Sequence, residues 1–158
     1  MRDSGIPEKS VAEREQSYHQ DNARVIYGAT IGLKSENRLE VIQNLKKGFP
    51  VQAFDKLQRK FDVSANTLAA VINIAPRTLT RRKKEGRFHT DESERLLRVA
   101  RLFDRANELF GNLEQVRHWF KSPKRALGGI SPLEFADTEP GAQEVEDLLG
   151  RLAHGVFS

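Results

Sequence analysis

Apolar residues recur at helical spacing along most of this chain, and no run of strict alternation interrupts them, so the pattern predicts an all-α protein. Leu39, Ile42 and Leu45 repeat until Gly48, with Lys46 and Lys47 in a last turn where cations suit the helix dipole. Pro50 can open the next helix, with Phe54, Leu57, Gln58 and Phe61 on one side. Further on, Asp91 offers an N-cap with Glu94 three residues later, the capping-box arrangement. Leu96, Val99, Phe103, Ala106 and Phe110 then hold one face for about five turns, and Gly111 ends this longest helix. A shorter helix over Leu113–Lys121 turns Val116, Trp119 and Phe120 inward. Residues 122–140 carry three prolines and the pair Gly128 and Gly129, which force turns, with one helical turn over 132–136. The last helix begins near Gly141 and places Val145, Leu148, Leu149 and Leu152 on one side. It stops at His154 and Gly155, with Gly155 as a left-handed cap.

Residues 63–87 read as two short helices joined by a tight turn, a helix-turn-helix. The motif needs a small residue where the helices cross and a turn residue four positions later; Ala69 and Asn73 have that spacing. Asparagine is one of the few residues besides glycine that tolerate the left-handed backbone of such a turn. Leu68, Ile72 and Ile74 supply the apolar wedge, Leu79 anchors the second helix, and Pro76 fits its first turn. Opposite Leu79 lie Arg77, Arg81 and Lys84, with Thr78 beside them. That face can meet phosphates by charge and guanine edges through the arginine fork, so DNA is the natural target. Arg82 sits on a flank that is usually apolar and is expected to pair with a carboxylate of the following helix.

Charge sharpens the division of the chain. Residues 126–158 carry one basic residue, Arg151, against six carboxylates, a net of −5, which leaves +9 for residues 1–125 of a chain whose net charge is +4. The front suits a polyanion and the acidic back suits something else. With 158 residues, 38% hydrophobic and 30% charged, the chain is expected to fold as a soluble globular protein. Residues 1–22 show no sustained apolar face and read as an arm; residues 23–34 are apolar but carry Gly28 and Gly32, so a short strand and a loose helix compete there. The start lacks the apolar core of a signal peptide and the longest apolar run is residues 68–72, so the cytoplasm is the expected compartment and no membrane is involved.

Nothing in the chain reads as a catalytic constellation. There is no cysteine, and the four histidines (His19, His89, His118, His154) have no second ligand at a metal-binding interval. Neither Gly28 with Gly32 nor Gly128 with Gly129 makes a phosphate loop. No nucleophile stands near a base that would activate it, so no enzyme activity, metal or cofactor is expected.

Several ordered blocks together resemble a known family: Gly48-Phe49-Pro50, residues 77–82, residues 92–96, Trp119, residues 126–129 with Pro132-Leu133, Thr138-Glu139 with Gly141, and the closing residues 154–157. They are similar to the Xre-type antitoxins paired with RES-domain toxins, over about the last two thirds of the chain. After a mobile or partly ordered arm (1–35), the resemblance implies a helical DNA-binding and dimerising domain (36–111), which holds the helix-turn-helix near 64–85, and a small helical toxin-binding domain (112–158) of the Xre, MbcA and ParS type. It implies a protein that blocks a cognate RES-domain toxin, an enzyme that consumes NAD, and that represses its own operon. Carried onto this chain, DNA contacts fall on Arg77, Thr78, Arg81 and Lys84. Toxin contacts fall on Trp119, Leu127, Gly128, Gly129, Pro132, Leu133, Val145, Leu149, His154, Gly155, Val156, Phe157 and Ser158. Three positions depart from the pattern: Lys124 where asparagine is expected, Phe120 where leucine is commoner, and Ala75 without a capping hydroxyl.

The tail suggests how a toxin would be blocked: Val156, Phe157 and Ser158 form a short end that enters the toxin's substrate pocket, Phe157 as an aromatic anchor and the terminal carboxylate against a phosphate-binding cation. A homodimer on an inverted repeat, with half-sites about 34 Å apart or a multiple of that, is the expected arrangement on DNA. The competing reading is a stand-alone helix-turn-helix regulator whose back half senses a small molecule; it predicts an apolar pocket in the tail domain and no protein partner.

Overall fold

The computed structural model describes residues 28–33 and 37–155. A 3-10 turn over Ala29–Ile31 precedes helices α1 (Arg38–Lys47), α2 (Gln52–Phe61), α3 (Ala65–Val71), α4 (Pro76–Glu85), α5 (Thr90–Phe110) and α6 (Leu113–Lys121). A second 3-10 turn over Arg125–Leu127 leads to α7 (Pro132–Phe135) and α8 (Glu139–Ala153). Among the described residues there is no strand, only two isolated antiparallel bridges, Pro50 with Arg87 and Lys124 with Ile130. The all-α class is as expected. Helix starts are set by side-chain caps that satisfy otherwise orphaned N–H groups: Asn37 accepts from Leu39 N–H, Ser64 from Thr67, Asn112 from Gln115, Ser131 from Glu134 and Thr138 from Gly141.

The buried apolar side chains form one cluster from Ile31 to Leu149, so front and rear helices share a core. At its centre Phe61 of α2 meets Phe103 of α5 edge-on at 4.8 Å and Phe120 of α6 at 5.0 Å, and Trp119 packs edge-on against Phe120. Helix α5 is the axis. On one side its Arg95 Nε donates to Ile72 O at 2.7 Å. On another its arginines meet the acidic rear: Arg98 with Glu139 at 3.3 Å, Arg105 and Arg101 with Glu146 at 2.9 and 3.7 Å. Part of the charge division seen in the sequence is therefore satisfied inside the chain. Gly48 makes the turn between α1 and α2 possible: at φ +82° its backbone lies so close to Phe88 that an added Cβ would sit 1.9 Å from the Phe88 carbonyl oxygen. The strand-like segment it starts accepts Phe88 N–H at Phe49 O and donates Val51 N–H to Gly86 O, closing the end of α4 against the α1–α2 junction.

Several expectations need correction. In α1 the inward residue is Val41, 3% exposed, whereas Leu39 and Ile42 are 67% and 40% exposed. The helix lies at the bundle's margin against α5 and buries a narrower stripe than three apolar positions suggest. Pro50 stands in the bridge to Arg87, so α2 begins at Gln52. Helix α5 starts at Thr90 with His89 as N-cap, and Glu92, not Glu94, reaches back to the His89 N–H at 3.4 Å. Helix α8 starts at Glu139, two residues before Gly141, because Thr138 supplies the cap. Of residues 23–34, the described 28–33 form neither strand nor α-helix but a 3-10 turn with Ile31 buried. The expected arm lies largely, and the tail residues Val156, Phe157 and Ser158 entirely, outside the described residues.

Candidate nucleic-acid interface and partner surface

Helices α3 and α4 meet as the spacing predicts. Ala69 and Leu68 are buried at the crossing, Ile72 and Ile74 close the wedge, and Leu79 is buried beneath α4. Asn73 has φ +53°, the left-handed value, and Ile74 N–H donates to Ala69 O at 2.8 Å across the turn. Pro76 occupies the first turn of α4; Ala75 precedes it with no side-chain cap.

The cations of α4 divide into two sets. Arg82 is buried, and its Nε donates to both carboxylate oxygens of Glu92, at 2.6 and 2.9 Å. Its Nη1 adds Glu85 at 3.1 Å. The expected carboxylate partner on the following helix is thus Glu92. Lys83 pairs with Asp55 at 3.7 Å and lies over the Phe54 ring. Arg77, Arg81 and Lys84 are exposed and, among the described residues, make no ion pair; Thr78 beside them is half-buried. One helix therefore spends its carboxylate neighbours on Arg82 and Lys83 and leaves three cations facing solvent on the opposite side. That arrangement attracts phosphate and leaves two guanidinium forks able to read bases.

His89, Asp91 and Glu92 also converge, with ligand-type atoms within 4.8 Å of one another. The position a cation would take is already filled, because the Arg82 guanidinium bonds Glu92 and its Nη2 lies 3.1 Å from His89 Nδ1. The cluster is an ion-pair network at the junction of α4 and α5, with Arg82 and Glu92 buried and His89 and Asp91 exposed.

In the rear part the structure separates the toxin contacts that the resemblance implies, as far as residue 155, into two groups. Trp119, Leu127, Pro132, Leu133, Val145 and Leu149 are buried and hold α6, α7 and α8 together. Gly128, Gly129, His154 and Gly155 are exposed. Gly155 has φ +68°, the left-handed value expected of a cap. Lys124 N–H donates to Ile130 O at 3.1 Å, closing the loop that carries both glycines, while its ammonium lies 5.5 Å from the centre of the Trp119 ring. Burial lowers the pKa of that lysine from its ordinary value. The open surface here is a groove of about 570 Å³ walled by Ile130, Glu134, Phe135, Asp137, Thr138 and Glu144 among others. Ile130 is 42% exposed. Sequence reasoning missed this groove because it picked the periodic apolar positions, which are the ones the core consumes.

Residues 40–101 match the family described as "Antitoxin Xre-like helix-turn-helix domain", and residues 105–155 match "Antitoxin Xre/MbcA/ParS C-terminal toxin-binding domain". The chain is 38% identical over 130 residues, 81% of its own length and 88% of the relative's, to "Antitoxin Xre" of Yersinia enterocolitica. It is 35% identical over 131 residues, 82% and 88% of the two lengths, to "Antitoxin Xre" of Photorhabdus laumondii. A more distant similarity, 23% over 124 residues, covering 72% of this chain and 78% of the relative, is to the "Prs ADP-ribosylating antitoxin" of a Sphingobium strain.

Proposed function

We propose a function for a chain that, on these matches, belongs to the Xre antitoxin family: it binds and blocks a cognate RES-domain toxin that consumes NAD, and represses its own operon. The observation that carries the reading is one chain in which a cationic face on a helix-turn-helix, exposed and without an ion pair among the described residues, shares a core with a domain of the toxin-binding family. Arg77 and Arg81 read base edges, Lys84 and Thr78 hold the backbone, and a second copy provides the other half-site of an inverted repeat. The toxin seats on the exposed surface of the rear part, around Gly128, Gly129 and the groove beside α7, with the buried residues shaping that surface from beneath. The residues after Gly155, Phe157 foremost, reach toward the toxin's substrate pocket. Neither role needs catalysis by this chain. Among the described residues no helix is long and apolar enough to cross a membrane; the proposed DNA-binding role calls for the cytoplasm.

One relative carries ADP-ribosylation in its name, a reaction that takes its ADP-ribose from NAD, and the proposed NAD-consuming partner is compatible with that chemistry. The test is the NAD content of cells producing the protein encoded beside this gene. NAD is expected to fall when that protein is produced alone and to be preserved when this chain is co-produced; deleting residues 156–158 should reduce the protection. Growth arrest with NAD unchanged would overturn the RES assignment while leaving a toxin partner in place.

A further inference from the structure

Trp119 is the only tryptophan of the chain, and a second cleft, of about 400 Å³, opens beside it. This cleft lies where the end of α5, helix α6 and the start of the 124–130 loop meet, and it shares no residue with the groove beside α7. Its volume is within the range of small-molecule sites. Phe110 and Trp119 make its apolar wall, with ring centroids 5.9 Å apart, and Phe120 holds the indole edge-on at 5.0 Å. The indole is thus fixed by two neighbouring rings.

One cation stands over that wall. The Lys124 ammonium is 5.5 Å from the centre of the Trp119 ring. Its backbone is held in both directions: the N–H donates to Ile130 O at 3.1 Å, and the carbonyl accepts from the Leu127 and Gly129 N–H groups at 3.0 and 2.9 Å. Lys124 is half-buried and, among the described residues, forms no ion pair. Glu114 is the carboxylate on the same lining, and Arg117 engages it at 2.8 Å. Burial, with no opposite charge to offset it, lowers the Lys124 pKa. The contact with the indole holds the ammonium in place, but its three N–H donors have no acceptor among the described residues. A desolvated ammonium without a counter-charge favours a ligand that brings the anion, and the aromatic wall beside it favours a flat apolar body.

We infer that this cleft binds a small aromatic carboxylate, with the ring against Phe110 and Trp119 and the carboxylate on the Lys124 ammonium. Gln115, on the same lining, carries an amide N–H donor for the second oxygen. The site is independent of the DNA and toxin roles proposed above.

The experiment titrates the full chain with trans-cinnamate and, separately, with cinnamamide, which has the same shape and no charge. Trp119 emission reports occupancy without a label, because no other tryptophan contributes, and calorimetry gives the stoichiometry. Cinnamate is expected to bind one to one, to change Trp119 emission saturably, and to bind at least about fivefold tighter than the amide, the order expected of a partly buried charge contact. Lys124→Met keeps an apolar stem over the indole and removes the charge; it should weaken cinnamate by about fivefold and leave cinnamamide within about twofold. Lys124→Arg should restore the preference for the acid. Melting temperatures confirm that both variants are folded. Equal affinity of acid and amide, an unchanged preference in folded Lys124→Met, or no saturable change in Trp119 emission would each overturn the inference and leave the functional reading standing.

Discussion

Arg82 and Glu92 face each other through a buried, two-pronged contact in which one guanidinium nitrogen lies 2.6 and 2.9 Å from the two carboxylate oxygens. The pair joins the recognition helix α4 to the axial helix α5, and its hydrogen bond to Glu92 pushes the Arg82 pKa up from an already high ordinary value. Glu92 also receives the His89 N–H that starts α5, so one carboxylate fixes both the end of α4 and the beginning of α5.

Removing Glu92 leaves a buried cation without its partner, which is more damaging than losing an exposed pair. Glu92→Ala is expected to cost about 2–4 kcal/mol in urea unfolding. Glu94→Ala, at an exposed position of the same helix, should stay within about 0.5 kcal/mol of wild type. Equal effects of the two would contradict the assigned role of the Arg82–Glu92 pair.

The contrast between these two glutamates shows what was legible in the sequence. That Arg82 needed a carboxylate could be read from its place on the helix, and the wedge of Leu68, Ile72, Ile74 and Leu79 followed from spacing alone. Which glutamate answers Arg82 depended on where α5 begins, and a capping residue such as His89 is not a strong signal. The three apolar residues of α1 misled for another reason: a helix at the margin of a bundle buries fewer positions per turn than its periodicity offers. In the rear part Val116, Trp119 and Phe120 were read as inward and are buried, whereas the groove beside α7 is walled by residues that lie between the periodic ones, such as Ile130 and Glu134, and no period marks those.

Arg77, Arg81 and Lys84 are exposed and unpaired among the described residues, so their removal should cost DNA affinity and little stability. Arg77→Ala and Arg81→Ala are each expected to weaken promoter binding by about tenfold, the order expected from one lost base contact. Lys84→Ala should weaken binding to all sequences and flatten the salt dependence by about one unit of slope. Mobility-shift titrations at several salt concentrations check both, with melting temperatures as the control for folding.

Asp104 accepts the Thr30 N–H at 3.2 Å and the Thr30 hydroxyl, tying the 28–33 segment to α5. Its pKa is raised, first by burial and then by Glu108, with the bonds from Thr30 opposing. The folded chain therefore holds this proton more tightly than the unfolded chain, and stability falls as pH rises from about 4 through the raised value. Asp104→Asn should be at least as stable as wild type at pH 7 and lose that advantage toward pH 4. Thermal melts across this range test the sign; a wild type more stable than the variant at pH 7 would contradict it.

Gly141 lies in the first turn of α8 against α7, where an added Cβ would come within 1.9 Å of the Phe135 carbonyl oxygen. Backbone cannot yield as a side chain can, so Gly141→Ala should cost about 2 kcal/mol or more and loosen the partner surface. Gly150→Ala meets only the Arg105 guanidinium at 3.1 Å and should be neutral or stabilising by up to about 1 kcal/mol. Denaturant titrations of the two variants give the comparison directly.

The central claim is that this chain neutralises a toxin through its rear part. Because α7 and α8 supply Leu133, Val145 and Leu149 to the shared core, truncation would unfold the chain, and the test must use the full protein. The most direct measurement is growth of cells producing the adjacent gene's product, with and without this chain, followed by co-purification. Growth arrested by the product alone, restored by this chain, with the two proteins recovered as one complex, is the predicted result. Arrest that persists while the chain is folded and still binds its promoter would contradict the account.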